Sequence, residues 1–121
     1  NTGAAIVVIT RVMKVDSRPL ILDEIRLPAA LFKGLNTARI EEFNCRMYSL
    51  FESAYGVRIV QVAEQIKAVQ ASPEAASILG VREKSPLLNV DRLAYTFGDK
   101  PVEWRRSLCD TRDFHYMNKI V

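Results

Sequence analysis

Histidine occurs once in these 121 residues and cysteine twice. No Ser/His/Asp or Cys/His arrangement can be built without His115, and its setting in "FHYMN" favours a structural or surface role over a general base. Cys45 and Cys109 lie far apart and form neither a CxxC pair nor a Cys/His cluster. They therefore give no support for zinc or a disulfide framework, and no metal or other cofactor is expected. Gly-rich phosphate loops are also missing, because "GVREKSP" has neither GxGxxG nor GxxxxGK[ST] spacing. No apolar run approaches the roughly 18 residues that suggest a membrane span. The opening "NTGAAIVV" lacks the charged region and cleavage site of a signal peptide. These two readings predict a cytoplasmic protein with no membrane partner. The net charge is +3 and the pI about 9.0. Lysine and arginine are nevertheless scattered among aspartate and glutamate, without the stripe that direct DNA contact requires.

What is present suits one globular domain spanning residues 1–121, long enough to bury a core without disulfides or metal. "AIVVITRVMKV" (5–15) is rich in β-branched residues and ends in the turn-like "DSRP", after which "PLILDEIRLP" runs extended. This predicts a hairpin. "PAALFKGL" reads as a loop or single helical turn. "RIEEF" leads into a helix, "NCRMYSLFESAYG", whose Met47, Leu50, Phe51, Ala54 and Tyr55 form a core-facing stripe and whose Gly56 marks its end. "VRIVQVAEQIKAVQA" (57–71) changes the phase of its apolar alternation near Val62 and Ala63, as a bent or bulged strand would.

"SPEAASILG" carries Ser72 as N-cap, Pro73 at the first helical position, Glu74 in the first turn and Gly80 as terminator, which predicts a short helix. "SPLLNVDRLAYTF", the turn "GDK" and "PVEWRRSLC" make a second hairpin, and "FHYMNKIV" adds a last strand. The two hairpins resemble each other, with Arg11 and Arg92 on the first strands and Pro19 and Pro101 opening the second. Strands grouped around two helices without βαβ alternation predict an α+β domain with a largely antiparallel sheet.

Strand phase places Val7, Ile9, Arg11, Met13 and Val15 on one face of the first strand, leaving Arg11 a lone cation in an apolar row. Asp23 shares its face with Ile21, Ile25 and Leu27. Charged groups on apolar faces need partners, so Arg11 and Asp23 either pair with each other or line a cavity that holds a polar ligand. On the last hairpin strand Glu103, Arg105, Ser107 and Cys109 share one face, with Val102, Trp104 and Leu108 on the other. If Trp104 faces the core, the charged face is solvated; alternation alone does not separate that from a cavity wall.

The order of these motifs resembles a UTRA domain, the effector-binding, dimer-forming part of GntR-type transcription regulators of the HutC subfamily. The succession is a strand bearing Arg11, "RPLILDEIRLPAALFKGL", the helix around "MYSLFESAYGV", "RIVQVAEQIKAV", "ASPEAASILGV" and "SPLLNVDRLAYTFGDKPVEWRRSLCDTRDF". The resemblance implies a chorismate-lyase-like fold, a small polar metabolite as effector and a homodimer. It also implies DNA binding only through an N-terminal winged helix that this chain lacks. In members that bind amino-sugar phosphates, Arg11 matches the first arginine of the ligand site, Asp23 its acid and Glu103 its glutamate. Met13 stands in place of the second arginine and Cys109 in place of a tyrosine, and strand phase adds Arg105 beside Glu103. The role implied is non-enzymatic. A chorismate-lyase-like enzyme and a dimerisation module with a vestigial pocket are the alternatives, the first by fold analogy alone.

Overall fold

Two hairpins lie edge to edge in a computed structural model of the chain, which describes residues 5–43 and 46–117. The strands are β1 (Ile6–Val15), β2 (Arg18–Pro28), β3 (Gln61–Gln70), β4 (Pro86–Thr96) and β5 (Lys100–Cys109). They form one sheet in the order β1-β2-β5-β4-β3, every pairing antiparallel. The helices are α1 (Thr37–Glu42), α2 (Met47–Tyr55) and α3 (Pro73–Leu79). The α+β architecture is the one the sequence predicts.

The helix signals act as their chemistry requires. Ser72 Oγ accepts from the Ala75 N–H at 3.1 Å, Pro73 opens α3, and Gly80 closes it at φ 68°. Gly56 closes α2 in the same left-handed conformation, at φ 66°. Met47, Leu50 and Phe51 of the predicted stripe are buried, Tyr55 half-buried and Ala54 exposed. The run before α2 forms a separate short helix, α1, capped by Asn36, whose side chain accepts from the Arg39 N–H.

The upper half of one sheet face carries α1, α2 and the loop before them. Phe32, Ile40, Leu50 and Phe51 pack there on Ile9, Ile25, Leu27 and Val102. A second cluster lies on the opposite face, where Ala75, Ala76 and Leu79 of α3 meet Leu22, Leu87 and Leu108.

Three strand expectations are corrected. β3 is neither bent nor bulged: it pairs with β4 residue for residue from Gln61↔Tyr95 to Gln70↔Pro86. Its mixed alternation arises because it is an edge strand exposed along most of both faces, so no burial constraint fixes the pattern. The register shifts fall elsewhere, between Met13 and Lys14 and between Ala94 and Tyr95. Residues 114–117 form no strand, and the remainder of the expected last strand lies outside the described residues, as does Cys45.

The shift at Ala94/Tyr95 matters most. Pro101 pairs with Tyr95 and Glu103 with Ala94, which leaves Val102 as the extra residue. A bulge breaks the two-residue period. Val102 thereby joins the core beside Glu103, both being buried, while Trp104 points to the opposite face and is 45% exposed. The solvated reading of the Glu103 face is thus reversed, because Trp104 does not occupy the core.

Candidate functional site

Side chains opposite one another in the ladders form rows across the helix-bearing face. One row runs Ile9, Ile25, Arg105, Arg92, Glu64; the next runs Arg11, Asp23, Ser107, Val90, Ile66. The first runs out of the core at Ile9 and Ile25 and the second borders it, so their charges have to be matched by partners.

Both acids in these rows, and Glu103 in the row before them, have one. Asp23, 1% exposed, accepts from Arg11 Nε at 2.8 Å and from Ser107 Oγ at 2.5 Å. Glu103, 2% exposed, takes two bonds from Arg105 on Oε2, from Nε at 2.8 Å and Nη2 at 2.5 Å, and one from the Tyr48 hydroxyl on Oε1 at 2.6 Å. Glu64 Oε2 accepts from Arg92 Nε at 2.9 Å and pairs with Nη2 at 2.8 Å. Tyr48 also accepts from Arg92 Nη1 at 3.4 Å and lies under the Arg105 guanidinium, 5.6 Å from ring centre to Cζ. Tyr116, beyond β5, donates to Glu64 Oε1 and ties the following segment over this face. The result is one chain of contacts, Arg105–Glu103–Tyr48–Arg92–Glu64–Tyr116.

The electrostatics follow from this chain. Burial raises the Tyr48 hydroxyl pKa, and the neighbouring Glu103 carboxylate raises it further. Burial pushes Glu64 upward, but bonds from Tyr116 and Arg92 outweigh it and hold the carboxyl below its ordinary value. Burial lowers the Arg92 guanidinium, yet Tyr48 and Glu64 raise it overall. Burial, with Asp23 adding, pushes the Cys109 thiol up to about 11, so it stays neutral.

A cavity of about 260 Å³ opens against these groups, lined by Arg11, Arg46, Met47, Tyr48, Ser49, Arg92 and Arg105. Four guanidiniums reach it and no carboxylate lines it. Three of the four are answered from behind by Asp23, Glu103 and Glu64, while Arg46 makes no ion pair among the described residues. Arg11 Nη1 is buried with no hydrogen-bond partner among the described residues. The balance is one positive charge at the surface of a small cavity. Such an arrangement binds a small anion by charge-assisted hydrogen bonds.

The structure brings the predicted residues onto one face. Arg11 and Asp23 pair with each other, and Arg11 also lines the cavity. Glu103 and Arg105 sit two strands away, joined to each other. Met13 and Cys109 lie in the row beyond, outside the cationic cavity but on the same face. His115 takes no part in the cationic cavity and lines a neighbouring apolar one. Sequence reading missed Arg46, Tyr48 and Glu64. Arg92 was marked only as the counterpart of Arg11 in the second hairpin. Among the described residues no helix is long and apolar enough to cross a membrane, and no three His, Cys, Asp or Glu are grouped to hold a metal ion.

Comparison with known proteins agrees with this geometry. The model of the UTRA domain matches residues 1–115. A crystal structure of a ligand-binding domain from Bordetella bronchiseptica, assigned to the GntR family of transcriptional regulators, is 40% identical. It superposes with a TM-score of 0.92 over 100% of this chain and 76% of that one. The effector domain of PhnF from Mycobacterium smegmatis shares the fold at 22% identity, TM-score 0.83, over 100% of this chain and 73% of that one. The transcriptional repressor NagR of Bacillus subtilis is 26% identical over 115 residues, 93% of this chain and 46% of the relative. The chain spans less than half the length of the curated relatives it matches. With its five-stranded antiparallel sheet and packed helices, and with the family model matching nearly all of it, the chain belongs to the UTRA family of GntR-type transcriptional regulators.

Proposed function

We propose that this domain senses a small anionic metabolite in the cavity lined by Arg11, Arg46, Arg92 and Arg105, with Asp23 and Glu103 fixing the arginines from behind. The observation that carries the reading is the convergence of four guanidiniums on one cavity of about 260 Å³ with no carboxylate among its lining residues. Preformed donors of this kind hold an anion without reorganising. Met13 and Cys109 complete the ligand-facing surface beyond the cations.

In a full-length regulator of the HutC subfamily, the domain works as a cytoplasmic homodimer. Ligand binding shifts it between arrangements that do and do not let an attached winged-helix domain hold DNA. Such a shift requires unequal affinity for the two arrangements, typically ~1–3 kcal/mol of coupling. DNA contact belongs to the attached domain, and residues 1–121 act as the ligand-binding and dimerisation unit. The role is non-enzymatic: the relatives are named as transcriptional regulators, and each acid of the site is engaged by an arginine.

The test is thermal unfolding against a panel of small anions, with Arg46→Gln alongside. A ligand at a hundred times its dissociation constant adds about 2.7 kcal/mol, which raises the midpoint by several degrees in a domain of this size. A rise with an anion that is lost in Arg46→Gln supports the reading; unchanged midpoints throughout refute it. Light scattering of the purified domain checks the dimer. Incubation with chorismate, followed by a search for product, checks the absence of lyase activity.

A further inference from the structure

Beyond the row of Arg11 lies a row of different chemistry: Met13, Ile21, Cys109, Leu88 and Ala68 stand opposite one another across all five strands. It holds no charged side chain, and its one thiol stays neutral. A cavity of about 350 Å³ opens on Ile21, Leu88 and Cys109, and Phe114, His115, Tyr116 and Met117 from the segment after β5 form its other wall. Arg11 and Met13 also line one smaller cavity together, so the cationic and apolar rows meet along β1. Same-face neighbours on a strand are about 7 Å apart, so the apolar row lies roughly 7–13 Å from the guanidiniums of Arg11 and Arg105.

We propose that the ligand of this domain is an amphipathic organic carboxylate, its carboxylate among Arg11, Arg46, Arg92 and Arg105 and its apolar body along Met13, Ile21, Cys109 and Leu88. The inference rests on the anion-sensing reading above and deepens it. Three of the four guanidiniums are already neutralised, which leaves about one positive charge for the ligand and fits a monoanion. A sugar phosphate would turn hydroxyls toward Ile21 and Leu88, which offer neither donor nor acceptor, leaving Thr111, His115 and Tyr116 at the cavity's far wall as its polar partners. Polar groups left unpaired are costly to bury. A hydrocarbon body covers Ile21 and Leu88 and gains from leaving water.

The experiment is titration calorimetry of the chain with straight-chain carboxylates from acetate to octanoate, the alcohols of equal length, inorganic phosphate and glucose 6-phosphate. The expected result is binding of the carboxylates that tightens about fourfold per added methylene until the cavity is filled. The alcohols should bind far more weakly. In Leu88→Asn the gain per methylene shrinks while acetate is unaffected. Cys109→Ser, which keeps the side-chain volume, reports the same loss in milder form if Leu88→Asn does not fold. Arg46→Gln weakens all members of the series alike. A flat carboxylate series, or a preference for glucose 6-phosphate, that still depends on Arg46 overturns the amphipathic ligand and leaves the anion sensor standing. Alcohols that match their acids overturn the head-group assignment. No binding by any anion overturns both readings.

Discussion

The hydroxyl of Tyr48, on α2, donates to the carboxylate of Glu103, on β5, at 2.6 Å, and so fastens the helix to the sheet at the inner edge of the cationic cavity. The same carboxylate holds Arg105. Any anion that draws on Arg105 or Arg92 therefore acts on a group already tied to α2.

Glu103→Gln leaves the nearly buried Arg105 charge without its counter-ion, and a loss of ~3 kcal/mol in unfolding free energy is expected. Tyr48→Phe removes one hydrogen bond, worth ~1 kcal/mol. Denaturant unfolding of the two single variants and the double variant measures the coupling, which should be well above zero because the groups touch.

Arg46→Gln separates binding from folding. Arg46 is exposed and makes no ion pair among the described residues, so its loss should shift stability by under ~0.5 kcal/mol. Loss of a charge-assisted contact weakens a bound anion by ~1.5 kcal/mol or more, roughly tenfold in affinity. Arg11→Met is the contrasting case: it strands the buried Asp23 carboxylate and should destabilise the fold as well as abolish binding.

Asp110 sets the acid limit. Its carboxylate, 1% exposed, accepts from Arg112 Nη2 at 2.8 Å and from Arg18 at 3.3 Å, and the Arg112 bonds, outweighing burial, hold it below the usual aspartate value. A carboxyl lowered by folding contributes stability that is complete above its unfolded value, near pH 3.9, and is lost as pH falls through the lower folded one. The unfolding midpoint should therefore drop through and below that region, and in Asp110→Asn it should already be lowered at neutral pH, with a flatter acid dependence.

Cys109 should resist alkylation. With its thiol raised to about 11, the thiolate fraction at pH 8 is on the order of a hundredfold below that of an unperturbed cysteine. Peptide mass spectrometry after timed iodoacetamide treatment reads its rate separately from that of Cys45.

Local signals carried the elements well. Ser72, Pro73 and Gly80 fix α3 through backbone groups within one turn, and strand alternation put Arg11, Asp23, Glu103 and Arg105 on faces that prove to be the same face. What alternation could not supply was which face is covered. The bulge at Val102 moved one residue across the sheet and turned Trp104 outward, a change set by pairing with Tyr95 that no residue near Val102 announces. Tyr48 and Arg46 were illegible for another reason. Arg46 stands at the N-cap of α2 and Tyr48 in its first turn at the rim of the core, and only the docking of that helix on the sheet brings them to Arg92 and Arg105. Glu64 was hidden because an exposed edge strand carries no burial pattern to mark one residue as special.

That edge strand has a consequence for amide exchange. β3 is held by a ladder to β4 on one side and is wet along most of both faces, so little apolar burial resists its local opening. Its amides should exchange with deuterium sooner than those of β2 and β5, which are paired on both sides. Glu64 lies within this strand, bonded to both Arg92 and Tyr116. Deuterium uptake across residues 61–70 thus gives a readout of events at Arg92 from an edge strand of the sheet.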